Sequence, residues 1–122
     1  IPDVNIIVCD LLDLTKARNL IEPHLPFHCL VNNAGIAVIE NFFDISEESF
    51  DKTIAVNVKP ILFISQLVAG AMADHKIKGS IVHISSQCSK IALLGHTCYC
   101  ASKAAMDSLA RSMALELGQY KI

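Results

Sequence analysis

A chain of 122 residues makes one domain, near the size at which a single core is just adequate. Apolar residues are 52%, charged residues 18% and the net charge −2, which excludes a disordered chain and leaves no basic footprint for nucleic acid. The apolar runs are interrupted by Ser, Gln, Lys or Asp short of the ~20 residues a membrane span needs, and no basic n-region leads into an apolar h-region.

The five cysteines (Cys9, Cys29, Cys88, Cys98 and Cys100) are odd in number and include no C-x-x-C. A disulfide framework or a metal site is therefore not expected, and a reducing, cytoplasmic setting fits.

In chain order, "VNIIVCD" is a compact β-branched run. A helix is predicted from about Asp13 to Glu22, with Asp13 or Thr15 as N-cap and Pro23 and Pro26 ending it. "HCLVNNAG" is a short apolar run closed by turn residues. "DISEESF" opens the next helix, with Asp44 and Glu47 as a capping box. Apolar residues then recur at helical spacing from Ser46 to about His75, and Pro60 within that run predicts a kink, since it offers no N–H to the Val56 carbonyl. "GSIVHIS" is a third strand. "YCASKAAMDSLARSMALEL" is a last helix, with Gly118 as its C′ residue.

Strands that alternate with helices and are apolar on both faces argue for an α/β domain, a parallel sheet with helices on both sides. Ligands on such sheets sit beyond the carboxyl ends of the strands. That rule selects Asp10, the Asn-Asn-Ala-Gly turn at 32–35 and Ser85-Ser86-Gln87.

Tyr99 and Lys103 are four apart at a helix start and so share one face. A phenol titrates near pH 10, and bringing it to neutrality takes about 4 kcal/mol of preference for the phenolate. An ammonium ~4 Å away at an effective dielectric of ~20 supplies about that much. Tyr-x-x-x-Lys is thus a sufficient general acid/base, and Ser86 can donate to the same substrate oxygen. Taken alone the pair is more often an ordinary helix face with a snorkelling lysine. The weight comes from the set: the Asn-Asn-Ala-Gly turn, Asn57, Ser86, Tyr99 and Lys103.

That set resembles the short-chain dehydrogenase/reductase superfamily over essentially the whole chain: Asp10 after a strand, "NNAG", "VNV" in the long helix, "IVHISS" and "YCASK". "SSQCS", "HTCYCASKAAMD" and "MALELGQYKI" are similar to its L-xylulose (dicarbonyl) reductase branch. The resemblance implies the central part of a Rossmann-like doubly wound parallel sheet, three strands with flanking helices. The glycine-rich first βαβ unit would precede Ile1 and further strands would follow Ile122, so residues 1–122 would be the catalytic middle of one NAD(P)-binding domain.

It also implies roles. Tyr99 would be the acid/base, Lys103 would favour its phenolate and bond the nicotinamide ribose, and Ser86 would polarise the substrate carbonyl. Asn57 would help hold a relay water, with the kink at Pro60 freeing carbonyls for it. Asp10 would meet the adenine edge, Asn33, Ala34 and Gly35 would line the adenosine side, and Asn32 would tie the sheet. Gln87 and His96 would face a hydroxylated substrate. His83 reads as a packed strand residue, and Cys88 and Cys100 as free thiols.

The implied cofactor is NADP(H) rather than NAD(H), and the implied substrate a small carbonyl compound. The implied assembly is a homo-tetramer through helices 46–75 and 99–117. A non-catalytic product that only associates through those helices is the rival reading.

Overall fold

The computed structural model describes residues 4–122. Helix α1 spans Leu14–Ile21, strand β1 Cys29–Asn32, helix α2 Glu47–Asn57, helix α3 Lys59–Asp74, strand β2 Ser80–His83 and helix α4 Thr97–Leu117. The strands pair in parallel, Cys29 opposite Ser80 through Asn32 opposite His83. The α/β class and the parallel sheet are as expected.

Two expectations about the sheet are corrected. The run Val4–Asp10 forms no strand, because no ladder partner lies beside it among the described residues, and Ile6 and Val8 are exposed. The helices also cover one face rather than two. Leu30 and Asn32 point toward α3, while Val31 and Val82 on the opposite face are exposed. A right-handed crossover from β1 to β2 places its helices on a single side of the sheet.

The caps follow local chemistry. Asp13 caps α1 by accepting from Lys16 N at 2.9 Å. The cap of α2 is Ser46 rather than the expected Asp44: Ser46 is extended and accepts from Ser49 N, whereas Asp44 closes a 3₁₀ turn with Asn41. Gly118 is right-handed (φ −55°) and continues into a 3₁₀ turn, and the left-handed residue is Lys121. An amide follows Gly118 that still finds a carbonyl, so the chain tightens rather than stops.

The long helical run breaks at Val58 (φ −119°), two residues before Pro60. Pro60 occupies the first turn of α3, where a missing N–H costs nothing. By length and composition alone Glu47–Asp74 would suffice to cross a membrane, contrary to the expectation from its polar interruptions. It is instead two helices, and α3 buries Ile64, Val68 and Met72 against Leu14, Ile21, Phe27 and Leu30.

Asn32 ties this layer to the sheet. Its amide nitrogen donates to Ser65 Oγ of α3 at 3.0 Å and to His83 Nδ1 of β2 at 3.1 Å. An amide nitrogen only donates, so Nδ1 is bare and the ring is neutral with its proton on Nε2. Burial lowers the His83 pKa below the usual 6.5. The unfolded chain thus binds a proton that the folded one refuses, and stability falls as pH drops below 6.5 toward the folded value. Urea unfolding at pH 7.5 and 5.5 should show a smaller loss on acidification for His83→Asn than for the unaltered chain.

Candidate active site

The polar residues at the carboxyl ends of β1 and β2 converge on the first turns of α4. Lys103 is 4% exposed, and its Nζ donates to the Ile84 carbonyl at 2.8 Å, two residues before Ser86. The same Nζ stands 5.7 Å from the centroid of the half-buried Tyr99 ring. One of its three protons is used by Ile84, which leaves two for a ligand. Burial pulls the lysine pKa below the ordinary range, and the negative charge of Asp107 opposes that.

Ser86 begins a 3₁₀ turn, Gln87–Ser89, and its Oγ accepts from Cys88 N at 3.2 Å. An accepting hydroxyl keeps its own proton free to donate, as a carbonyl-polarising serine must. Gln87 is exposed on that turn. His96 precedes α4 and meets the Tyr99 ring edge-on, with centroids 6.2 Å apart. Its Nδ1 lies 2.7 Å from the Leu94 carbonyl, which can only accept, so Nδ1 carries the proton and Nε2 is left for a ligand.

Asn57 is fully buried at the end of α2. Its Oδ1 accepts from Ile36 N and its Nδ2 donates to Ile36 O, both at 2.8 Å, and Nδ2 also donates to Ser102 Oγ at 3.0 Å. Both amide protons are consumed, so the side chain is a clamp for the turn after β1. Pro60 has no N–H to offer the Val56 carbonyl at the break between α2 and α3. The turn itself, Asn33-Ala34-Gly35, is exposed. A Cβ on Gly35 would stand 3.3 Å from Asn57 Oδ1 and 3.7 Å from Lys103 Nζ. Glycine there keeps the space beside the ammonium open.

Asp10 is exposed, and its carboxylate accepts from Leu12 N at 2.9 Å. It shapes the turn into α1, and no contact joins it to Tyr99 or Lys103. Leu11, Asn33 and Ala34 line one cavity of about 230 Å³, so the turn after Asp10 and the turn after β1 share a cleft.

Four residues escaped the sequence reading. Ser102 is buried, bridges to Asn57 and donates to the Tyr99 carbonyl at 2.7 Å. Asp107 sits one turn beyond Lys103; the hydroxyls of Ser85 and Ser89, ahead of the Lys90 ammonium, hold its pKa down at about 2. Glu40 donates its N–H to the Gly95 carbonyl at 3.0 Å and accepts from Ser49 Oγ at 2.8 Å. Gly95 is left-handed (φ 72°), and a Cβ there would come within 2.9 Å of Ile39. Only Asp107 had a visible signal, an acid four after the lysine.

A family model for short chain dehydrogenases matches residues 2–122. The chain belongs to that family. L-xylulose reductase of Caenorhabditis elegans is 53% identical to this short-chain dehydrogenase segment over 103 residues, 84% of this chain and 41% of that protein. L-xylulose reductase of Homo sapiens is 37% identical over 121 residues, 99% of this chain and 50% of that protein. A 4-hydroxyisoleucine dehydrogenase solved with NADH and succinate superposes with a TM-score of 0.90 at 33% identity, covering 95% of this chain and 56% of that one. The short-chain dehydrogenase segment thus spans about half the length of the relatives it matches.

Removing the clamp should be costly. Asn57→Ala strands the Ile36 N–H and C=O and should lower unfolding stability by about 2–4 kcal/mol, read by denaturant titration.

Proposed function

We propose that this segment carries the acid/base centre of an NAD(P)H-dependent carbonyl reductase acting on a small hydroxylated ketone, such as L-xylulose, or an α-dicarbonyl. The observation that carries it is the buried Lys103 ammonium held by the Ile84 carbonyl beside the Tyr99 ring. A charge fixed there favours the negative charge that develops on the phenol oxygen as it gives its proton to the substrate oxygen. Ser86 donates to that oxygen and orients the carbonyl. Lys103 replaces the proton on Tyr99 through ligand hydroxyls or a water at the Val56–Asn57 end of α2.

The residues present fit the nicotinamide-ribose end of a dinucleotide: Lys103 has two free protons, and glycine at 35 keeps the adjacent space clear. A bound nicotinamide supplies the hydride. The exposed turn at 33–35 and Asp10 would border the adenosine side across their shared cleft. None of the five glycines, at 35, 70, 79, 95 and 118, forms a phosphate-gripping Gly-x-x-x-Gly-x-Gly. NADP(H) is the cofactor supported by kinship with a pig relative named carbonyl reductase [NADPH] 2, 36% identical. His96 Nε2 and Gln87 offer polar partners for substrate hydroxyls. A reducing compartment, the cytoplasm, suits five free thiols.

Tyr99→Phe should cut kcat for carbonyl reduction by roughly 10²–10⁴-fold while leaving cofactor affinity within a factor of a few. NADPH and NADH titrations, followed by fluorescence, test the cofactor. No nicotinamide binding at millimolar concentration would sink the enzymatic reading in favour of association alone.

A cavity of about 490 Å³ lies away from this centre, between α3 and α4, lined by Leu62, Gln66, Ala69, Leu109, Met113 and Tyr120 among others. It supports association into a homo-tetramer through these helices. Leu62→Glu with Met113→Glu should shift sedimentation to a smaller species.

A further inference from the structure

Among the polar groups around α4, one carboxylate has no part in the chemistry just described. Asp107 follows Lys103 by one helical turn, so both project from the same face. Its side chain is 19% exposed and pairs with Lys90 Nζ at 3.2 Å. Lys90 caps the 3₁₀ turn that starts at Ser86. Ser85 Oγ, next to Ser86, is near enough to the carboxylate to help keep it ionised, yet among the described residues it is the buried side-chain polar atom that completes no hydrogen bond. The carboxylate therefore stands between two things the reaction needs fixed: the turn that presents Ser86 and the cation that serves Tyr99.

We propose that Asp107 is a positioning residue, which docks the Ser85–Lys90 turn onto α4 and supplies the counter-charge to the buried Lys103 ammonium. The assignment rests on the reductase reading for its kinetic consequence, though not for its electrostatic one. Lys103 lies in a setting that disfavours its charge, and the turn after β1 and the end of α2 offer only the uncharged Gly35 and Asn57. The titratable groups on the elements packed here are Cys98, Tyr99, Cys100 and Asp107 on α4, His96 in the loop before it, and Cys88 and Lys90 in the 85–90 turn, Lys90 being engaged by Asp107. Asp107 is thus the anion that bears on Lys103. Without it, the lysine loses its proton at lower pH.

The test is Asp107→Asn in the full chain, with Asp107→Ser as the second charge-removing variant should Asn impair folding and Asp107→Glu as the rescue. Lysine labelled with ¹³C at Cε reports the Lys103 titration by NMR without any need for activity. The Lys103 midpoint should fall by roughly 0.2–0.4 of a pH unit in Asn or Ser and return in Glu. In the active reductase the alkaline limb of the kcat profile should move down by the same amount, with kcat lowered and substrate KM little changed. An unchanged Lys103 midpoint in a folded Asn or Ser variant overturns the proposal. A shifted midpoint in a chain that binds no nicotinamide cofactor at millimolar concentration upholds it and rejects the reductase reading instead.

Discussion

Asn57 holds together everything that the site requires. One buried amide takes both backbone groups of Ile36 and the hydroxyl of Ser102, and Ser102 passes the connection on to the Tyr99 carbonyl. The turn after β1, the end of α2 and the first turns of α4 are thereby locked to one another. Such an arrangement is tolerated in a dry interior only because every polar atom in it finds a partner. Lys103 enters the same interior with one bond made, to the Ile84 carbonyl, and two protons left over.

The parallel pairing of β1 and β2 makes this possible. Two strands running the same way end on the same side, and the polar residues that follow them, Asn33–Gly35 and Ser85–Gln87, are delivered together. Asn32 and His83, opposite one another in register, fix the sheet to α3 just below that rim. The rim rests on apolar packing beneath it, around Ile64, Val68 and Met72.

Much of this was legible in the sequence because it depends on short spacings. Tyr99 and Lys103 are one turn apart, and the turn residues after each strand announce where a ligand would sit. The clamp role of Asn57 was not legible, since its partners lie 21 and 45 positions away and only folding brings them near. The Val4–Asp10 run reads as a strand by composition, but composition says nothing about whether a neighbour is there to pair with it. Asp44 lost the cap to Ser46 because either residue suits the position and backbone geometry decided between them. Gly118 has the freedom to turn left-handed, and the chain did not use it.

Gly95 has a consequence for how this seam can vary. Its left-handed backbone and its nearness to Ile39 favour a residue with no β-carbon where residues 36–41 meet 91–96. The stitch that leads into His96 and the start of α4 is therefore fixed. Differences along it are left to the side chains on either side, Ile39, Leu93, Leu94 and His96, over a backbone path that stays the same.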